Sequence, residues 1–559
     1  MNITINDRII ECEPGELLIE VARKNNIAIP TLCYLKDVCH SSNCRICMCD
    51  VNGRLIPACS AKVSENMVVN TDNDKVRNSR VKTLQLIMST HHKDCDNCEK
   101  NRKCKLQDLF EEYDVKPFNQ NYVKNTYRID ESSPCIIRDD NKCILCGRCM
   151  NVCANTQSVY ALCKQQRGFK TFMGCAFDND IFDSPCIGCG QCVLVCPTGA
   201  LMENTEINQV KKLLNNPDYY VTCQVAPSVR VALAEEFGAP IGTFDEGRMV
   251  TALKKLGFKK VFDINMGADF TIYEEANELI DRIQNGGKLP QFTSCCPGWF
   301  AFIEKNYPDL KENLSTCKSP TEMVGALVKD YFSKQNNIAQ ENIKVVDIMP
   351  CTAKKQEKKR ATDVDNALTT RELAKMIKDA GIDYMNLEPS PFDTPFDEYT
   401  SAGLIFGVSG GVMEAALRFA AEKLTGNKDK VDFEEVRNSN GVKEVEVKCG
   451  EVTLRLAIVS GLGNARRVVE EIKSGKKNYD FVEIMACPGG CINGGGQPFV
   501  DYDKTPVEEV KRLRSKAIMD ADKGATARIS SENKFMTELY NSYINNRELA
   551  HKLFHWRHE

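Results

Sequence analysis

Apolar residues alternate with polar ones in short bursts at the start of the chain and lengthen into continuous runs in its second half. In "ITINDRIIECEPGELLIEVARK" two period-two segments flank Asn6 and Asp7, which predicts a hairpin. Pro14-Gly15 breaks the pattern before Leu17, Leu18, Val21 and Ala22 recur at helical spacing, so a strand, strand, helix unit is expected. From about residue 210, apolar runs rich in β-branched residues, "YYVTCQVAP" (219 to 227), "KVVDIMP" (344 to 350), "LRLAIVSG" (454 to 461) and "DFVEIMACP" (480 to 488), alternate with helical stretches at 271 to 284 and 410 to 424. That alternation predicts an α/β domain with cysteines at strand ends, where open α/β sheets place ligands.

Composition changes this picture at one point: the chain of 559 residues holds 29 cysteines. The length predicts several domains. The first residues lack the basic start and continuous apolar stretch of a secretory leader, and no later run approaches the roughly 18 apolar residues that span a bilayer. A cytoplasmic, reducing setting is therefore expected, where cysteines at short regular spacings act as metal ligands and not as disulfides. Lys plus Arg is 73 against 77 for Asp plus Glu, net charge -4, which argues against a nucleic-acid footprint or a polybasic membrane patch. The run "KKQEKKR" (354 to 360) reads as solvated surface.

The cysteines fall into four territories. Cys33, Cys44, Cys47 and Cys59 lie in a loop-rich stretch after the first helix; four thiolates there suit a 2Fe-2S cluster, with zinc as the alternative, and the pattern resembles plant-type ferredoxin with a lengthened first gap. Cys39 and Cys49 complete no chelating pair and are left out. His91, Cys95, Cys98 and Cys104 read H-x3-C-x2-C-x5-C, a donor set that suits zinc equally by spacing. Cys143, Cys146, Cys149 and Cys153, then Cys186, Cys189, Cys192 and Cys196, are two C-x2-C-x2-C-x3-C runs, the repeat of a bacterial two-cluster ferredoxin. The fourth cysteine of each run ligates the other cluster, which pairs Cys196 with Cys143, Cys146 and Cys149, and Cys153 with Cys186, Cys189 and Cys192. Cys135, Cys163 and Cys175 read as structural.

In the fourth territory, "TSCCPGW" (293 to 299), "IMPCTAKKQE" (348 to 357) and "EIMACPGGCINGGGQP" (483 to 498) resemble the signature loops of iron-only hydrogenases of the clostridial type with four accessory clusters. The resemblance covers nearly the whole chain and lowers the zinc alternative for the His91 motif, which in such proteins follows a plant-type domain and holds a 4Fe-4S cluster. It implies that Cys296, Cys351, Cys487 and Cys491 hold the cubane of the catalytic H-cluster, a 4Fe-4S cluster bridged to a diiron subsite with CO, CN and azadithiolate ligands. Cys295 would exchange protons with the bridging amine, a task for which a thiol of pKa about 8.5 is suited. Glu275, Ser315, Glu278 and Arg282 match the family's proton path; on residues alone, the face carrying Glu275, Glu278 and Arg282 reads as solvated. Lys354 matches a hydrogen-bond donor to one cyanide, Pro227 and Ser228 the cradle of the other, and Met349 and Met485 apolar neighbours. Thr321 and Pro488 depart from the clostridial pattern.

The expected architecture is multidomain, α+β and α/β: an N-terminal β-grasp ferredoxin domain (1–77), a His/Cys cluster domain (78–126), a bacterial two-cluster ferredoxin domain (127–208) and a large α/β catalytic domain with a helical C-terminal segment (209–559). The expected cofactors are one 2Fe-2S cluster, three accessory 4Fe-4S clusters and the H-cluster. Ferredoxin or flavodoxin is the expected redox partner, with maturation proteins supplying the diiron subsite. A hydrogen sensor, or an electron-transfer subunit of an NAD- or formate-linked complex, is the alternative. The histidines in "NRELAHKLFHWRHE" (546 to 559) read as tail, not as a metal site.

Overall fold

A computed structural model describes all residues except 119–122, 359, 427, 429–431, 438–440, 450–451 and 557–559. The hairpin forms where expected, with Asn6 and Asp7 both in the left-handed region (φ 49° and 64°) between β1 (Asn2–Ile5) and β2 (Arg8–Glu11). With β3 (Met48–Val51), β4 (Arg54–Pro57) and β5 (Val68–Asn70) they make a sheet of order β2-β1-β5-β3-β4, in which β1 and β5 run parallel. The helix Leu18–Lys24 buries Leu18, Ile19, Val21 and Ala22 against it, the arrangement of a β-grasp.

Arg80, on the helix Asp74–Thr90, ties this sheet to the next region. Its guanidinium is 2% exposed and donates to Ile46 O (3.0 Å), Met48 O (2.9 Å) and Tyr113 Oη (2.9 Å). Two small antiparallel pairs follow: β6 (Ile136–Arg138) with β9 (Leu201–Glu203), and β7 (Cys163–Gln165) with β8 (Phe172–Gly174). The cysteine runs sit between their strands.

The second half builds two four-stranded sheets. One has the order β11-β10-β13-β14 from β10 (Tyr220–Val225), β11 (Lys260–Asp263), β13 (Ile343–Met349) and β14 (Asn366–Thr369), all parallel. The other has the order β12-β17-β16-β15 from β12 (Gln291–Phe292), β15 (Val442–Cys449), β16 (Val452–Ser460) and β17 (Phe481–Met485), with β15 antiparallel. The central strands are buried on both faces, which is why they read as continuous apolar runs.

The helical stretch read at 271 to 284 falls inside the helix Ile264–Asn285, which the Asp263 carboxylate caps by accepting from Asn265 N (2.9 Å). One expectation is corrected: within the run read as solvated surface, Lys355 is buried and donates to Glu372 (2.9 Å) and Ala367 O (2.9 Å), so the lysine-rich composition conceals an internal ion pair. The residues after Pro498 form the helices Val507–Gly524, Lys534–Ser542 and Arg547–Phe554. They pack on the catalytic domain, Phe554 lying tilted against Phe270 of the helix Ile264–Asn285 at 5.0 Å between centroids.

The second cysteine run docks onto the catalytic domain through backbone contacts that glycine alone permits. A Cβ on Gly495 would stand 2.6 Å from Gly190 Cα, and Gly190 has φ +69°. Around this contact Gln191 Nε2 donates to Asn493 O (2.9 Å), Gln157 Nε2 to Ala486 O (2.9 Å), Thr352 Oγ1 to Gly188 O (2.6 Å) and Gln356 Nε2 to Ile187 O (2.8 Å). Gly495→Ala should force these layers apart and lower stability by about 1–3 kcal/mol. A melt of the purified variant tests this; an unchanged midpoint would show that the two layers are not in contact.

Candidate functional site

The predicted donor sets come together in space. Sulfurs of Cys33 and Cys44, of Cys33 and Cys59, and of Cys47 and Cys59 are within hydrogen-bond reach of each other. Cys39 and Cys49 point elsewhere, toward Ser41 Oγ (3.1 Å) and Arg80 respectively. Cys143, Cys146, Cys149 and Cys196 line one small cavity. In the companion group, burial first and then Cys186 and Cys153 push the Cys189 thiol well up. Both groupings follow the crossed pattern read from the repeat.

His91 is buried, its pKa pushed down to about 4 chiefly by burial, and its Nδ1 has no hydrogen-bond partner. His92 is engaged elsewhere, its Nε2 at 2.9 Å from Asn125 O. A buried orphan imidazole nitrogen beside a three-cysteine loop fits a metal-bound histidine.

The fourth donor set sits at the carboxyl ends of strands from both sheets. Cys351 follows β13, Cys296 follows β12, and Cys487 and Cys491 follow β17. Burial pushes the thiols of Cys351, Cys487 and Cys491 upward. After burial, Cys296 and Lys354 act on Cys351, raised to about 12, while Cys351 and Cys296 act on Cys491. Cys487 also feels Cys189 of the neighbouring module. Gly490 bends the loop with φ +101°, and a Cβ there would meet Ser409 N at 2.7 Å. Convergent buried thiols that raise one another are a poor resting arrangement unless a cation gathers them, so this set fits an iron–sulfur cluster.

Cys295 stands beside that set. Burial, then the charges of Glu275, Cys296 and Cys491, push its thiol well up. Glu275 is itself buried, and burial followed by the charge of Glu278 raises its pKa to about 8. Beyond it, Ser315 Oγ donates to Glu278 Oε2 (2.9 Å), and Arg282 Nη2 donates to Glu278 Oε1 (2.6 Å) and Leu314 O (2.8 Å). The face that residues alone assign to solvent is thus turned inward at Glu275 and reaches the surface at Arg282.

Lys354 Nζ donates to Ser319 Oγ (2.8 Å) and Glu357 (2.5 Å). Burial opposes its charge, while Glu357, Asp347 and Glu322 hold its pKa above the usual value. Sequence reasoning missed this acidic surround. Thr321 Oγ1 donates to Asp347 Oδ1 (2.5 Å), and Gln224 Nε2 donates to Asp347 Oδ1 (2.6 Å) and Thr321 O (2.8 Å), so the departure at Thr321 is knitted into a buried network. The available signal was an Asp inside the apolar run "KVVDIM". Pro227, Ser228, Met349 and Met485 are all buried, and Ser228 Oγ donates to Gly407 O (3.3 Å).

An α/β domain wired to cysteine-rich modules, with a buried thiol and carboxylate series at its four-cysteine site, defines an iron–sulfur oxidoreductase. Comparison makes the class specific. Residues 219–495 match the iron only hydrogenase large subunit, C-terminal domain, and 508–559 the iron hydrogenase small subunit. Residues 1–74 match a 2Fe-2S iron-sulfur cluster binding domain, 80–117 the NADH-ubiquinone oxidoreductase-G iron-sulfur binding region, and 142–200 a 4Fe-4S dicluster domain. The chain is 38% identical to iron hydrogenase 1 of Clostridium pasteurianum over 100% of this chain and 99% of that protein. It is 42% identical to the NADP-reducing hydrogenase subunit HndD of Solidesulfovibrio fructosivorans over 99% of this chain and 98% of that one. An apo FeFe-hydrogenase structure from Chlamydomonas reinhardtii matches with TM-score 0.56 at 37% identity, covering 63% of this chain and 98% of that chain. The chain belongs to the iron-only hydrogenase family, oxidoreductases acting on hydrogen that carry iron–sulfur clusters and an H-cluster.

Glu275 yields a pH prediction. Its folded pKa, about 8, lies above the ordinary carboxylate value of 4.5, so its stabilising contribution is complete below about pH 4.5 and is lost as pH rises through 8. In Glu275→Gln the amide stays neutral. The difference in melting temperature, variant minus parent, should therefore grow between pH 5 and pH 9; a constant difference would mean that Glu275 is not held protonated.

Proposed function

We propose that the chain interconverts two protons and two electrons with dihydrogen in the cytoplasm, exchanging electrons with reduced ferredoxin or flavodoxin. One observation carries the reading: four cysteines from three loops converge beside a fifth, Cys295, whose thiol feels the charge of the buried Glu275 carboxyl. Cys296, Cys351, Cys487 and Cys491 would hold the cubane of the H-cluster, and the four sets described above would hold one 2Fe-2S and three accessory 4Fe-4S clusters. The domains run 1–77, 78–126, 127–208 and 209–559. When bound, the H-cluster supplies the metal redox chemistry that joins protons to electrons, and its diiron part is supplied by maturation proteins.

The chain's own residues handle protons and exclude water. Cys295 gives up a proton at Sγ and recovers one from the Glu275 carboxyl, whose pKa near neutrality serves both directions. Ser315 and Glu278 return the proton to Glu275, and Arg282 holds Glu278 at the outer end. Lys354 presents its ammonium toward the site as a hydrogen-bond donor with counter-charge behind it. Pro227, Ser228, Met349 and Met485 form dry walls. No helix among the described residues is long and apolar enough to cross a membrane.

The full-length likeness to a subunit of an NADP-reducing hydrogenase favours a second arrangement, in which the chain passes electrons from dihydrogen to partner subunits. Infrared spectra of the matured protein should show carbonyl and cyanide bands, with viologen-coupled hydrogen evolution in the same sample. Cys295→Ala should keep the bands and lose turnover by about 100-fold or more, the scale of a lost proton-transfer group. Absence of bands after competent maturation would overturn the hydrogenase reading, and unimpaired turnover in the variant would overturn the proton role of Cys295.

A further inference from the structure

The outer end of the carboxylate series is covered by the C-terminal segment. Lys318 N donates to Phe554 O (2.7 Å) and Trp556 N to Thr316 O (2.8 Å), so residues 554 to 556 lie alongside the loop that carries Ser315, Thr316 and Cys317. This brings His555 against Glu278. Ligand atoms of Glu278, Cys317 and His555 lie within 4.8 Å of one another, and among the described residues this is the one such grouping outside the cluster-forming cysteines.

We propose that Glu278, Cys317 and His555 bind a divalent cation of the zinc class, and that an ion held there blocks proton passage between Glu278 and solvent. The second half of the proposal rests on the proton route assigned above. One sulfur, one imidazole and one carboxylate with an open fourth position suit zinc better than magnesium or calcium, which take oxygen donors.

Three further features point to a ligand. The Thr316 hydroxyl lies between two of the donors, giving its hydrogen bond to Glu278 Oε2 (3.1 Å) while Oγ1 stands 2.8 Å from His555 Nδ1, so a polar atom already occupies the position a cation would take or adjoin. On the opposite side of the ring, His555 Nε2 lies 3.2 Å from Glu274 Oε2, the carboxylate–histidine support that orients metal-bound imidazoles. The His551 ring stacks on His555 at 4.8 Å between centroids and holds the ring in place from that face.

Access and charge are compatible with an ion. The side chains of His555 and Glu278 are 11% and 13% exposed, which opens the site outward, while Cys317 is fully buried behind them. Arg282 holds the other carboxylate oxygen, Oε1, and leaves Oε2 facing Cys317 Sγ at 3.8 Å. On binding, the Cys317 S–H bond breaks, its proton goes to water and an Sγ–metal bond forms. Thiolate and carboxylate then balance the dipositive ion, and Glu278 loses the oxygen through which Ser315 reaches it.

The test uses the cluster-loaded full chain with zinc sulfate as probe. At one equivalent, the zinc X-ray absorption edge should report a single sulfur with nitrogen and oxygen donors. Hydrogen evolution should fall and recover with a chelator. Each measured against its own zinc-free rate, Cys317→Ala and His555→Gln should need about tenfold more zinc or beyond for half-inhibition. Equal zinc sensitivity in both variants and parent, or zinc surrounded by sulfur alone, would overturn the site. Zinc bound with the expected donors but with turnover untouched would leave the site standing and overturn the blockade, together with the placement of the proton exit at Glu278. Loss of the infrared bands in the zinc-free parent would instead strike the hydrogenase reading, which the absorption edge does not depend on.

Discussion

Everything in this molecule depends on holding sulfur donors close together away from water. Buried thiols resist ionisation, and each resists more when a neighbour ionises first, which is the direction found at Cys149, Cys189, Cys192 and Cys487. A chain that brings such groups together without metal carries a standing penalty, and metal binding converts the penalty into folding free energy. That explains why the donor sets sit on short loops braced by larger elements: a β-grasp sheet for the first, and the ends of parallel strands for the last. It also explains the glycines. At Gly190 against Gly495 the backbone of one cluster loop must lie on the backbone of another, and any side chain would hold the two donor sets apart.

Proximity then organises traffic. Cys189 is close enough to Cys351 and Cys487 for their charges to act on one another, so the second cysteine run and the catalytic thiols form one electrostatic neighbourhood. Glu275, on the helix Ile264–Asn285, acts on the Cys295 thiol, while Cys296 belongs to the four-cysteine set. In the proposed reading, the adjacent cysteines of "TSCCPGW" would serve electron and proton delivery at consecutive residues after β12.

Much of this was legible in the sequence, for identifiable reasons. Cluster donors repeat at fixed short spacings, because a C-x2-C loop has few ways to present two sulfurs to one metal atom; the grouping of the cysteines from Cys143 to Cys196 in space follows that spacing. Parallel strands buried on both faces declare themselves as apolar runs, as β10, β13, β16 and β17 did. What stayed hidden depends on tertiary context. Lys355 looks like surface until Glu372 is found beside it, and Asp347 looks like an interruption until Gln224 and Thr321 supply its hydrogen bonds. Glu275 and Glu278 share a helix face and a residue type, yet one is sealed and the other touches solvent. Only the resemblance separated that face from ordinary surface.

The C-terminal segment shows why short polar tails resist reading from sequence. "HKLFHW" has two buried anchors, Leu553 and Phe554, and the position of His555 follows from where those two dock. Phe554 packs against Phe270, which stands on the same helix as Glu275 and Glu278. Its docking therefore fixes His555 over the outer carboxylate without any local pattern that announces it. A histidine delivered this way lies between Glu274 and Thr316, so its orientation is set from both sides before any ion or proton arrives. The helix thus carries Glu275 and Glu278 on one edge and, at Phe270, the anchor for the segment that covers Glu278 on another.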